Sequence, residues 1–154
     1  VSTPTARGEI DIDAPAEDVY RVVSDLPAMA VAAEEFVGGS WLRGAEEAAP
    51  GARFRGRNRR GWRRWSTLAT VTDAEPGRRF AFEVTSLGLP VARWQYDLEP
   101  RGDGCRLTES TWDKRKSWFS RLTVVATGVS DRASVNTENI ARTLSRVKVA
   151  VETR

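Results

Sequence analysis

The chain has 154 residues, 40% hydrophobic and 29% charged with a net charge of +3, enough for one globular domain with a substantial core. It has no histidine and one cysteine, Cys105, which excludes Ser–His–Asp or Cys–His centres in their usual form, histidine-ligated metals and an internal disulfide. No apolar run approaches the roughly 18 residues of a membrane span and no signal-peptide pattern is present, so one domain over residues 1–154 in a reducing cytoplasm is expected.

Gly8 to Asp13 alternates, with Ile10 and Ile12 on one side and Glu9, Asp11 and Asp13 on the other, as in a half-buried strand. Asp13 is placed to cap a helix that has Pro15 early, acids in its first turn, and Val19, Tyr20, Val22 and Val23 along it. That helix is expected to stop near Asp25-Leu26-Pro27, and a short second one to run from Met29 to Ala33. Phe36 to Leu42 reads as a strand, and 44–51 as a turn. Then Arg53, Arg55, Arg57 and Arg59 alternate with Phe54, Gly56 and Asn58, and Arg60-Gly61-Trp62 forms a hairpin turn. Arg64 to Asp73 returns with Trp65, Thr67, Ala69 and Val71 on one side. After a turn at Glu75-Pro76-Gly77, Phe80, Phe82 and Val84 share a face. The next two strands place Trp94, Tyr96 and Leu98, then Cys105, Leu107, Glu109 and Thr111, on one face each.

Trp118 to Thr127 reads as a short helix or lid. From about Ser130 to Glu152, Ile140, Leu144, Val147 and Val151 recur at helical spacing, with Ser130 or Asp131 available as the cap. A helix of about 20 residues spans roughly 30 Å. Its apolar stripe is longer than one neighbouring helix covers, and six consecutive strands precede it. The predicted fold is therefore α+β, in the order β-α-α-β6-α. A curved antiparallel sheet of about seven strands wraps around the long C-terminal helix.

Four stretches carry a family resemblance: EIDIDAPAEDVYRVVSDLPAM, PGARFRGRNRRGWRRWSTLATVTDAEPGRRFAFEV, RWQYDLEPRGDGCRLTES and TENIARTLSRVKVAVE. In that order the chain resembles the SRPBCC superfamily, also called START-like or helix-grip, and within it the bacterial polyketide cyclase/dehydrase-like proteins. The resemblance implies a cavity between sheet and long helix for a hydrophobic or aromatic, lipid- or polyketide-like, small molecule. No cofactor and no metal are expected. The same likeness makes a cyclase/aromatase-like enzyme the alternative, with Tyr96 as a phenol donor toward a carbonyl.

The residues support such a cavity independently. Phe54, Trp65, Phe80, Phe82, Trp94 and Tyr96 lie on the inward faces of their strands with Thr67, Ala69 and Leu107, facing Ile140 of the helix. Aromatics in those places either fill a dry core or line a pocket. Asn58, Glu109 and Asn136 are polar groups on the same inward faces, and each needs a partner, a water or a ligand. For Glu109 the ordinary outcome is a salt bridge to an arginine on a neighbouring strand. The functional outcome is a desolvated carboxyl with a raised pKa, acting with Tyr96 as the catalytic pair.

Charge is unevenly distributed, with ten acids and three arginines in residues 1–47 and a net +10 in the remainder. Residues 48–72 contain no acid, and seven arginines lie between Arg53 and Arg64. The outward four are expected to pair across strands with acids such as Glu83 and Asp97. Failing that, the face suits a carrier or partner-binding module with a negatively charged partner, such as an acyl-carrier protein or an anionic membrane. Single-stranded nucleic acid is the less favoured reading. A second basic-aromatic cluster, Trp112, Trp118 and Phe119 with Lys114, Arg115 and Lys116, suits a lid or a dimer contact, and the chain is expected to be a monomer or homodimer.

Overall fold

A computed structural model describes residues 2–116, 124 and 131–153. The strands are β1 (Ala6–Ile12), β2 (Phe36–Trp41), β3 (Arg53–Arg60), β4 (Arg63–Glu75), β5 (Arg79–Ser86), β6 (Leu89–Arg101) and β7 (Gly104–Asp113). They form one antiparallel sheet in the order β1-β7-β6-β5-β4-β3-β2, so six strands follow one another as a meander and β1 closes onto the last. Two helices, α1 (Ala16–Val23) and α2 (Leu26–Ala32), connect β1 to β2, and α3 (Arg132–Glu152) follows the sheet.

The amphipathic pattern of α3 decides where it lies. Asn136, Ile140, Thr143, Leu144, Val147 and Val151 are buried at spacings of three and four, and the Asp131 carboxylate caps the helix by accepting from the Ser134 N–H at 3.2 Å. The helix packs chiefly against β1, where Gly8 makes the approach possible. A Cβ at Gly8 would stand 2.7 Å from Ile140 Cγ2 and 3.3 Å from Leu144 Cδ1. At the far end, the Asp13 N–H donates to Glu152 Oε2 at 2.7 Å, and Lys148 Nζ lies 2.6 Å from the same oxygen.

Several expectations need correction. Asp13 does not cap α1; the helix starts at Ala16, so Pro15 occupies the cap position without a side-chain cap and Asp13 lies two residues before it, its N–H donating to Glu152 at the end of α3. Helix α2 begins at Leu26 rather than Met29, because the Asp25 carboxylate accepts from the Ala28 N–H at 3.0 Å. The outward arginines of β3 do not pair with Glu83 or Asp97, which are held instead by Lys114 at 3.0 Å and Arg79 at 2.7 Å. Thr70 of β4 stands between Arg53 and Glu83 in the register, so those two lie two strands apart, beyond cross-strand reach. The expected element at Trp118–Thr127 lies outside the described residues, Val124 apart.

Antiparallel order collects the β3–β4 and β5–β6 turns, the end of β7 and the first turn of α3 at one end of the molecule. The β5–β6 turn has two residues, Leu87 and Gly88, with φ of +53° and +77°. Two left-handed residues in succession suit a tight hairpin, but the first is normally Asn, Asp or Gly. Leu87 is also 93% exposed, so burial does not offset its conformation. Leu87→Asn is expected to raise stability by about 1 kcal/mol, readable as a higher urea midpoint with an unchanged slope.

Candidate functional site

A cavity of about 350 Å³ lies between the sheet and the amino-terminal half of α3, with α2 along one side. Its floor is a band of aromatic rings crossing neighbouring strands. Phe54 meets Trp41 and Phe82 edge-on, both at 5.3 Å between centroids; Phe82 meets Phe80 at 5.5 Å; and Phe80 stacks on Tyr96 at 6.4 Å. Phe54, Phe80, Phe82 and Tyr96 therefore pack on one another and line the space at once, with Trp41 packed against Phe54. Trp65, Thr67, Ala69 and Trp94 complete the sheet side, and Asn136 and Ile140 face them from α3. Asn58 lies near the β3–β4 turn, where its Nδ2 donates to Thr67 Oγ1 at 3.2 Å.

Leu107 does not line the cavity. It is fully buried, paired with Ile10 and Leu98 in the register, in the other half of the sheet. There α1 and the carboxyl half of α3, with Val147 and Val151, fill the space that stays open toward the amino end.

Glu109 is the chemical centre of the site. The register sets it between Tyr96 on β6 and Gly8 on β1, so neither neighbour can supply a cation. The expected salt bridge is absent among the described residues. Instead the Tyr96 hydroxyl donates to Glu109 Oε2 at 2.8 Å, and Oε1 is buried without a hydrogen-bond partner. Burial pushes the Glu109 carboxyl from its ordinary 4.5 up to about 8, against the smaller opposing pull of the Tyr96 hydrogen bond. Burial, followed by the charge and hydrogen bond of Glu109, also holds the Tyr96 phenol well above its usual range. Near neutral pH the pair is thus a neutral carboxylic acid beside a neutral phenol. It offers one O–H for a ligand oxygen, and a proton whose affinity lies close to working pH.

Sequence reasoning missed the mouth of the cavity. Glu35, in the link between α2 and β2, accepts from Arg132 at 2.7 Å and lies 3.7 Å from Arg60. Its neighbour Glu34 reaches Arg146 at 3.0 Å and Arg142 at 3.8 Å, so the link is clamped to α3 by ion pairs. Arg132 also stands over the Trp65 ring at 5.9 Å. Phe36, Leu26 and Met29 add apolar lining from the same side, and Asp113 and Arg115, 2.6 Å apart, stand at the end of β7. The apolar spacing of Leu26 and Met29 was the available signal. The acids at 34–35 carried none, because their partners lie up to 112 residues away, as in Glu34–Arg146.

A curved seven-stranded antiparallel sheet around a carboxy-terminal helix, with a mostly apolar cavity between them, is a helix-grip protein. Residues 3–152 match the family described as polyketide cyclase / dehydrase and lipid transport, and the chain belongs to that family. Among solved structures it is similar to the Polyketide_cyc-like protein Cgl2372 from Corynebacterium glutamicum, at 28% identity and a TM-score of 0.64, over 99% of this chain and 94% of that one. It shares its fold with CV1439 from Chromobacterium violaceum (17% identity, TM-score 0.71, 95% and 96% covered). It also shares its fold with the di-domain ARO/CYC BexL from the BE-7585A biosynthetic pathway (22% identity, TM-score 0.69), matching 96% of this chain but 50% of BexL. No curated protein matches the chain. Among the described residues no helix is long and apolar enough to cross a membrane.

The buried carboxyl makes stability depend on pH in a defined direction. Below pH 4.5 Glu109 is protonated in both folded and unfolded chains, and its full contribution is present. Between 4.5 and about 8 only the unfolded chain ionises freely, so stability falls as pH rises, by on the order of a few kcal/mol in total. Urea unfolding at pH 5 and pH 8.5 should show this loss in the native protein. Glu109→Gln should flatten the difference.

Proposed function

We propose that this chain binds a hydrophobic or aromatic small molecule, lipid- or polyketide-like, in the cavity between sheet and α3. The observation that carries the reading is Glu109, a residue that lines a mostly apolar cavity of about 350 Å³ and whose Oε1 is buried without a partner. An unpaired buried polar group costs roughly 2–7 kcal/mol. A ligand carbonyl or hydroxyl oxygen set against the neutral carboxyl would relieve that cost, while the aromatic floor takes the apolar body. Family membership supports the same class of ligand.

The test is native mass spectrometry of the purified protein against a panel of fatty acids and aromatic polyketide-like compounds. One-to-one complexes are expected from the oxygen-bearing members, and none from hydrocarbons of equal size. Asn139→Trp, at the half-buried edge of the cavity, should abolish them without unfolding the protein. Binding should weaken about tenfold for each pH unit above 8, as Glu109 ionises, and Glu109→Gln should remove that dependence. Equal retention by the Asn139→Trp variant would move the ligand out of the cavity.

A cyclase-like reaction is the second reading, favoured by one observation: a carboxyl near pKa 8 joined to a phenol at 2.8 Å is suited to pass a proton to a carbonyl oxygen. Turnover of a bound compound, lost in Glu109→Gln while affinity is retained, would establish it. Bound compound recovered unchanged would leave the protein a binder.

A further inference from the structure

We propose that the end of the molecule where the cavity opens docks on an anionic lipid surface, with Trp62 and Leu87 as the inserting tips and the β3–β4 arginines on the headgroups. Trp62 sits at the β3–β4 turn and is 80% exposed; Leu87 sits at the β5–β6 turn and is 93% exposed. Both turns lie at the same end of the sheet. Leu87 also occupies a left-handed backbone position that Asn or Gly would fill with less strain, and it stands at the rim of the cavity, so an apolar side chain there is kept against its conformation and without burial. The Arg63 guanidinium stands 4.3 Å over the Trp62 ring, which places a cation beside the amphipathic indole.

Behind these tips the outward face of the hairpin is basic and unneutralised. Arg59 and Arg64 face each other across β3 and β4 and are exposed, and Arg57 spends one nitrogen on Ser40 Oγ at 3.5 Å. Among the described residues none of these three meets an acid. The β3–β4 hairpin runs past the β5–β6 turn, because Leu68 pairs with Thr85 and residues 63–67 have no partner on β5. It therefore projects with its charge and its tryptophan together. Arginines near an anionic leaflet, an indole at headgroup depth and an apolar side chain beyond it make up an interfacial anchor.

The chemistry separates a lipid surface from other polyanions. A nucleic-acid platform needs aromatic faces among the cations. Here, among the described residues, a single exposed ring, Trp62, stands at the turn, while the strand aromatics Phe54 and Trp65 turn inward to the cavity and the outward positions across from Arg57 and Arg55 are Ser66 and Leu68. An acidic protein would use the arginines but has no need of two exposed apolar tips, Trp62 and Leu87, at neighbouring turns.

Sedimentation with phosphatidylglycerol–phosphatidylcholine vesicles, against vesicles of phosphatidylcholine alone, tests the proposal. Binding is expected only to the anionic vesicles and should weaken as salt rises. Arg59→Ala and Arg64→Ala should each lower it about fivefold. Trp62→Ser and Leu87→Asn should lower it further and leave its salt dependence in place; the second is expected to fold better than the native chain, so its loss cannot be read as unfolding. Equal binding to neutral vesicles would overturn the proposal, as would full affinity in both tip variants. So would capture of an acidic protein or single-stranded DNA with no vesicle binding. The inference stands apart from the cavity reading: Arg59→Ala, Arg64→Ala and Trp62→Ser are expected to keep small-molecule complexes in native mass spectra, so the two can fail separately.

Discussion

Ile140 Cγ2 lies 2.7 Å from the point where a Cβ on Gly8 would stand, so the long helix rests on the backbone of β1 with nothing between them. That contact fixes the rest of the molecule. Strand β1 is an edge of the sheet, and a helix pressed against one edge cannot also fill the concavity over β3, β4 and β5. In the half near the carboxyl end of α3, helix α1 takes up the remaining space and the core is solid. In the other half α1 reaches only with its last residue, Val23, and the cavity is what is left. Any larger residue at position 8 would lift α3 from the sheet and redistribute that volume.

The same contact explains the state of Glu109. Gly8 is its cross-strand neighbour, and Ile140 presses down beside it, so water is excluded on that side and no side chain on β1 can answer the carboxyl. Tyr96 answers one oxygen and leaves the other. A salt bridge would have spent the group on structure. The group is instead a neutral acid with one unpaired oxygen at the wall of the cavity, the arrangement on which the proposed binding role rests.

Most of the architecture was legible because it rests on short-period patterns. The alternation of β3 through β7 and the 3.6-residue stripe of α3 each specify an element and its inward face, and Phe54, Phe80 and Tyr96 lie where alternation puts them. Register was not legible. Whether Arg53 meets Glu83 depends on which strand lies between them, and β4 intervenes. Leu107 shows the same limit in depth: alternation turned it inward correctly, but only the position of α1 decides which inward residues meet solid core and which meet empty space. The bulge at Val71–Asp73 shifts the alternation of β4 for a reason that no local pattern announces. The Glu34–Glu35 clamp was invisible because its partners are remote in sequence, and two adjacent acids before a strand look like ordinary solvated surface.

The clamp has a kinetic meaning. The floor of the cavity is held by interlocked rings, whose separation would cost core packing. The rim is held by ion pairs between the α2–β2 link and α3: the more buried Glu35–Arg132 pair, and the partly exposed pairs of Glu34 with Arg142 and Arg146, each of the kind worth roughly 0–1 kcal/mol. Loosening the Glu34 part of the rim is therefore inexpensive compared with unfolding, and the two processes draw on different interactions. Rates of uptake and release can drift over evolutionary time through substitutions at Glu34, Arg142 and Arg146 while the midpoint of global unfolding stays put. Relatives with one floor and different rims would then differ in residence time more than in what they hold.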